Sequence, residues 1–179
     1  YSIGVFEPLW ATHLDDLGAS TRVIGFSLTA FALPMMIVAK PAGRMTDRFG
    51  ARWMSLVPAL ISAVLMMTYG YTSFLWVIIM VSGVHGMMEA ALSPATQAGI
   101  ADVTADQDAA SAQGLAEAAG SAASAVGAFS APVVFDTWGA GPAWLMAGCV
   151  MVALVAVSWL LDRPTLKPSN GMGREPVDQ

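Results

Sequence analysis

The 179-residue chain is 56% hydrophobic and only 12% charged, with a mean hydropathy of +0.61. Soluble domains carry about a quarter of their residues as charges, so this composition excludes an ordinary soluble fold and indicates an integral membrane protein. The formal net charge of −5 says little about partners, because orientation in a bilayer follows the placement of Lys and Arg, and nothing in the chain suggests nucleic acid.

A helix needs about 20 apolar residues to cross the hydrocarbon core. On that measure the sequence predicts an all-α polytopic membrane bundle of six spans. The first covers Tyr1 to Leu14 and ends at the acidic turn Asp15-Asp16-Leu17-Gly18. It is apolar from its first residue and lacks the basic n-region of a signal peptide, so it is expected to be a truncated span in a piece of a longer protein. The second runs from Thr21 to Ala39 and leads into a short charged hairpin, Gly43-Arg44-Met45-Thr46-Asp47-Arg48-Phe49-Gly50-Ala51-Arg52. The third opens at Arg52 and Trp53 and fades at Tyr69-Gly70-Tyr71, an aromatic pair of the kind found at membrane interfaces.

The fourth span, Phe74 to Ile100, is longer than the minimum and is expected to tilt, to kink at Pro94 or to protrude. After the polar segment Asp102 to Asp108, the fifth covers Ala109 to Phe135 and is nearly all small residues between Ala116 and Ala128. Small faces let helix backbones approach closely where lipid gives no hydrophobic drive, so this helix is expected in the packed interior. The sixth follows Trp138-Gly139-Ala140-Gly141-Pro142 and stops at Asp162-Arg163-Pro164. Residues 1–164 therefore read as one six-span unit, and 165–179, rich in Pro, Gly and charge, as a disordered tail.

Basic residues orient the bundle. With the hairpin in the cytoplasm, Lys40, Arg44, Arg48, Arg52, Arg163, Lys167 and Arg174 lie inside and only Arg22 outside, seven against one. That places the C-terminus in the cytoplasm, and the cell membrane is the expected location.

Three glutamates, Glu7, Glu89 and Glu117, fall inside predicted spans. A charge near the bilayer centre costs about 2.5–3.5 kcal/mol on insertion scales, so such residues face a cavity or a partner. Helical spacing puts Ser82, His85, Glu89, Ser93 and Thr96 on one side of the fourth span, and Gln113, Glu117, Ser121 and Ser124 on one side of the fifth. Two such stripes fit a common aqueous cavity. Desolvation disfavours the charged form of a carboxyl, which then takes up and releases protons near neutral pH. The alternative is that each Glu is a protonated packing group bonded to a neighbouring Ser or Gln. His85, one turn before Glu89, is placed to pair with it or relay a proton, or else to serve as a hydrogen-bond donor in helix packing. His13, beside Asp15 and Asp16, reads as a solvated interface residue. Cys149, the single cysteine, allows no intramolecular disulfide and reads as a small packing residue. No nucleophile with a base and no metal-ligand spacing can be assembled, so neither an enzyme nor a cofactor or metal site is expected.

The hairpin spacing G-R-x-x-D-R-x-G-x-R resembles the loop between the second and third spans of each half of major facilitator superfamily transporters. Phe6-Glu7-Pro8-Leu9, the run Gly83-Val84-His85-Gly86-Met87-Met88-Glu89 with Pro94 and Asp102, and Gly114 with Ala116-Glu117-Ala118 resemble the seventh, tenth and eleventh spans of drug:proton antiporters and vesicular amine transporters. The resemblance implies that residues 1–164 are the second six-helix half of a twelve-span carrier, whose missing N-terminal half supplies the rest of the substrate site. It implies alternating-access transport, with Glu89 and Glu117 in proton coupling or recognition of a cationic substrate. It further implies a gating loop built on Gly43, Arg44, Asp47, Arg48, Gly50 and Arg52. Partners would be the lipid bilayer, a small organic substrate and protons. The acids of that family are often aspartates, and Glu is a methylene longer, so its cavity geometry does not transfer. Proton-coupled efflux is the favoured activity; a metabolite importer or uniporter, or a non-transporting scaffold, are the alternatives. An intact gating loop and three intramembrane acids argue against the scaffold.

Overall fold

A computed structural model describes residues 1–161, and all its regular structure is helical. The elements are α1 (Ser2–Asp16), α2 (Thr21–Phe49), α3 (Ala51–Tyr69), α4 (Leu75–Val103), α5 (Ala109–Trp138) and α6 (Ala140–Leu161), with one 3₁₀ turn at Asp106–Asp108. The five helices α2 to α6 are long and apolar enough to cross a membrane. At 15 residues α1 is about 22 Å long and falls short of the hydrocarbon thickness. The predicted tail, with Arg163, Lys167 and Arg174, lies outside the described residues.

Each of α1 to α5 contains an internal proline: Pro8, Pro34 with Pro41, Pro58, Pro94 and Pro132. A proline removes one N–H and frees the carbonyl four residues earlier, a defect that membrane helices survive when a neighbouring helix covers it. Pro34 frees the Ala30 carbonyl, and α4 covers it: a Cβ on Gly83 would lie 3.4 Å from the Ala30 oxygen. One turn further, a Cβ on Gly86 would collide with the Phe31 carbonyl. Small residues at this crossing therefore let α4 seat tightly on α2. Around it α4 also packs on α3, α3 on α6, α1 on α5, and α5 on α6.

The core has two parts. The larger joins Val5, Leu9, Trp10 and Leu14 of α1 to Met66 and Tyr69 of α3, Ile78 of α4, Phe135 of α5 and Trp144 of α6. The smaller is made of Ala42, Met54, Ala91 and Ala95 and seats the end of α2 on α3 and α4.

Several expectations need correction. Gly43 to Phe49 form no loop but the last two turns of α2, which buries Thr46 and bonds its Oγ1 to the Ala42 carbonyl at 3.0 Å. Most residue types in this segment tolerate a helix, so charge alone did not end it. The whole reversal into α3 is Gly50, at φ 85° and ψ 149°. His13 is not solvated, and Tyr69 does not face outward. Both are buried, because Phe6, Trp10 and His13 share the face of α1 that meets Tyr69 and Trp144. Cys149 is exposed, since the buried face of α6 runs through Ala143, Trp144, Ala147, Gly148 and Met151 and passes it by. Finally, α5 is not interior within this chain: only Gly127, Ala131 and Phe135 are buried, and the small residues before them stand largely bare.

Candidate functional site

The polar residues singled out from the sequence converge where α1, α2, α4 and α5 meet. A cavity of about 430 Å³ opens between α1, α2 and α4, walled by Phe6, Leu28 and Phe31 and edged by Ser2, Glu7, His85 and Glu89. A second, of about 420 Å³, lies between α4 and α5 and is lined by Glu89, Ser93, Thr96, Gln113 and Glu117, among others. Ile3 and Glu89 line both, and Glu89 is the ionisable group that makes them one candidate site. The expected stripes meet here only in part. Ser82 is buried and bonded to the Ile79 carbonyl at 2.8 Å, while Ser121 and Ser124 lie off the cavities, Ser124 where Gly4 packs on α5.

Glu89 is held at the edge of the bundle, its side chain 14% exposed, whereas Glu7 and Glu117 are exposed. Its Oε1 lies 3.4 Å from Ser2 Oγ, which donates to it, and 3.5 Å from His85 Nε2, one helical turn away. The latter separation exceeds ordinary N–H···O hydrogen-bond length, so it is an electrostatic contact, and Nε2 has no hydrogen-bond partner among the described residues. The other ring nitrogen, Nδ1, is 3.0 Å from Tyr69 Oη, across to α3. Phe6 and Phe31 meet the His85 ring edge-on at centroid distances of 5.8 and 5.7 Å, and they stack on each other at 4.9 Å. An apolar aromatic pocket with carboxylates at its rim can hold an organic cation, by contact with ring faces and by charge.

Sequence reasoning missed Tyr69, Phe6 and Phe31 as parts of this site. Tyr69 lies outside both stripes, on a third helix, and only the packing of α3 on α4 brings its hydroxyl to His85. Its backbone is anchored too: His13 Nε2 donates to the Tyr69 carbonyl at 3.1 Å.

The charged segment lies apart from these cavities. Among the described residues Asp47 and Arg48 form no ion pair; both are exposed, and the Arg48 guanidinium sits 5.3 Å from the Phe49 ring centroid. Arg44 is exposed beside them. Arg52 lines a cavity of about 400 Å³ between α3, α4 and α6, with Asp102 across it. No group of three or more metal-ligating side chains occurs among the described residues.

With this architecture in view, comparison with known proteins gives the class. The Major Facilitator Superfamily profile matches residues 1–177, and the chain belongs to that family. It is an integral, multi-pass membrane protein of a family of transporters, not an enzyme. Among its relatives is Multidrug resistance protein 1 of Bacillus subtilis, 26% identical over 168 residues, covering 94% of this chain and 43% of the relative. Multidrug resistance protein 2 of the same organism is 27% identical over 116 residues, 65% of this chain and 29% of the relative. An uncharacterized MFS-type transporter of Methanocaldococcus jannaschii is 20% identical over 158 residues, 88% of this chain and 41% of the relative. The matches thus span less than half the length of each of these relatives. No solved structure matched significantly.

Proposed function

We propose that this chain is the C-terminal six-helix half of a secondary transporter that exports a small cationic or amphipathic organic molecule in exchange for protons. The observation that carries the reading is the position of Glu89. It borders an aromatic cavity on one side and, on the other, a second cavity that it shares with Glu117, Ser93, Thr96 and Gln113. A carboxylate between a substrate-sized pocket and a second acid can be neutralised by a cation in one state of the cycle and by a proton in the other. The names of the Bacillus relatives agree with drug efflux. The missing N-terminal half would close the cavities from the opposite face, with substrate held near the midplane as alternating access requires. In this reading Glu89 and Glu117 exchange protons, Glu7 and His85 assist, and the segment Gly43 to Arg52 switches conformation. The protein sits in the cell membrane with its C-terminus in the cytoplasm.

The test separates driven transport from exchange. Proteoliposomes of the full-length protein carrying Glu89→Gln or Glu117→Gln are compared for uptake driven by a pH gradient and for counterflow at equal concentrations. Loss of driven uptake with counterflow spared assigns coupling to that residue, because exchange needs the conformational change but no net proton movement. Joint loss of both would make the glutamate a substrate ligand, as in a uniporter or importer. Full driven transport in both mutants would leave them as packing groups and overturn the proposal.

A further inference from the structure

Tyr69 joins two histidines from different helices, and its surroundings leave it little freedom. The residue is buried, with its ring against Trp10 at 5.3 Å and Trp144 at 5.1 Å. His13 on α1 fixes its carbonyl, and its hydroxyl meets Nδ1 of His85 on α4. The direction of that last hydrogen bond decides which nitrogen of neutral His85 carries the proton. If Nδ1–H donated to the hydroxyl, the phenolic proton would be left without an acceptor inside the bundle, and the bare lone pair of Nε2 would face the Glu89 carboxylate 3.5 Å away. Both consequences are unfavourable, since an unmade buried hydrogen bond costs its full desolvation and a lone pair repels an anion. If Tyr69 donates, Nδ1 accepts and the phenolic proton is satisfied, while Nε2–H faces the Glu89 carboxylate at 3.5 Å, an attractive electrostatic contact in place of a repulsive one.

We infer that Tyr69 is a positioning residue for the coupling site. Its hydroxyl holds neutral His85 as the Nε2–H tautomer, so that the imidazole presents a proton to Glu89 and to the aromatic cavity. This rests on the proposed role of Glu89. The groups facing His85 are Tyr69 from α3, Phe31 from α2, Phe6 from α1 with Glu7 on the shared cavity wall, and Glu89 on its own helix. None of the others offers Nδ1 a hydrogen bond, so Tyr69 sets the tautomer at Nδ1 while the Glu89 charge favours the same form at Nε2. A hydroxyl both donates and accepts, so Tyr69 can turn to receive Nδ1–H when the ring takes a second proton, and it stays bonded through the cycle.

The experiment is nitrogen-15 NMR of the histidines of the full-length protein, at a pH where His85 is neutral and Glu89 ionised, with the His85 signals assigned by their loss in His85→Asn. The wild type is expected to show the Nε2–H form. Tyr69→Phe keeps the ring packing and should shift the tautomer ratio by about tenfold toward Nδ1–H, the bias one hydrogen bond supplies. The same variant should lose several times more of pH-driven uptake than of counterflow. An Nδ1–H wild type overturns the inference, even if the variant does not fold. So does a Tyr69→Phe protein with an unchanged tautomer, or with a changed tautomer and driven uptake reduced no more than counterflow. Glu89→Gln, measured in parallel, keeps the two readings apart. If it retains driven uptake, the coupling role of Glu89 has failed, while the tautomer of His85 still reports on Tyr69.

Discussion

At the scale of single residues, this bundle is organised by what is small and by what is polar. Gly86 is small because the Phe31 carbonyl occupies the space a side chain would need, and backbone cannot swing aside as a flexible side chain can. Gly86→Ala should therefore destabilise the protein by about 1–3 kcal/mol, as overpacking does. It would be read as a lower thermal midpoint in detergent. Gly25→Ala, with nothing within 4 Å of its new Cβ, should leave the midpoint unchanged or raised. Glu89, Glu117, Glu7 and His85 were legible in the sequence because an acid or imidazole inside an apolar run is conspicuous. Tyr69, Phe6 and Phe31 were not, because aromatic residues are ordinary in a span and only the packing of α1, α2 and α3 on α4 shows which of them touch His85.

At the scale of elements, long apolar runs made the helices and most of their ends legible, whereas the charged segment was misread as a hairpin. Its charges lie on the exposed face of a helix whose other face, Ala42 and Thr46, is buried against its neighbours. Gly50 makes the turn by itself, in a φ, ψ region open essentially only to glycine. A Cβ there would meet nothing within 4 Å, so Gly50→Ala should cost about 1–3 kcal/mol through backbone strain alone, again read by thermal unfolding. The segment is continuous with α2, the helix that lines the aromatic cavity through Leu28 and Phe31, and we propose that it switches conformation with that helix. Asp47→Asn in the full-length protein is accordingly expected to abolish transport and leave equilibrium substrate binding nearly unchanged. Loss of binding instead would mean that the segment shapes the site.

At the scale of the whole molecule, what stands out is how much apolar and small-residue surface is uncovered. Phe26, Leu33, Met36 and Ile37 of α2 and Leu115, Val126 and Phe129 of α5 are exposed, as are most of the small residues of α5. The small-residue face of α5 suits a protein neighbour better than lipid, and the matches to less than half of each relative leave room for one. Sequence reasoning placed α5 in the packed interior, whereas within this chain its small residues are largely exposed. Orientation is open to a direct check. Ser73, between α3 and α4, and Ser111, at the start of α5, belong to opposite ends of the bundle. Cysteines there, in a Cys149→Ala background, should label from outside and from the cytoplasm respectively; the reverse pattern would invert the topology.

The central claim is that Glu89 gives up a proton when a cation enters the cavity, and proton release on binding tests it most directly. Purified full-length protein in weakly buffered solution is mixed with a lipophilic organic cation such as tetraphenylphosphonium, and the pH change is followed with an indicator dye. Wild-type protein should acidify the solution as it binds, and Glu89→Gln should bind with markedly less release. Equal release from both proteins would contradict the claim.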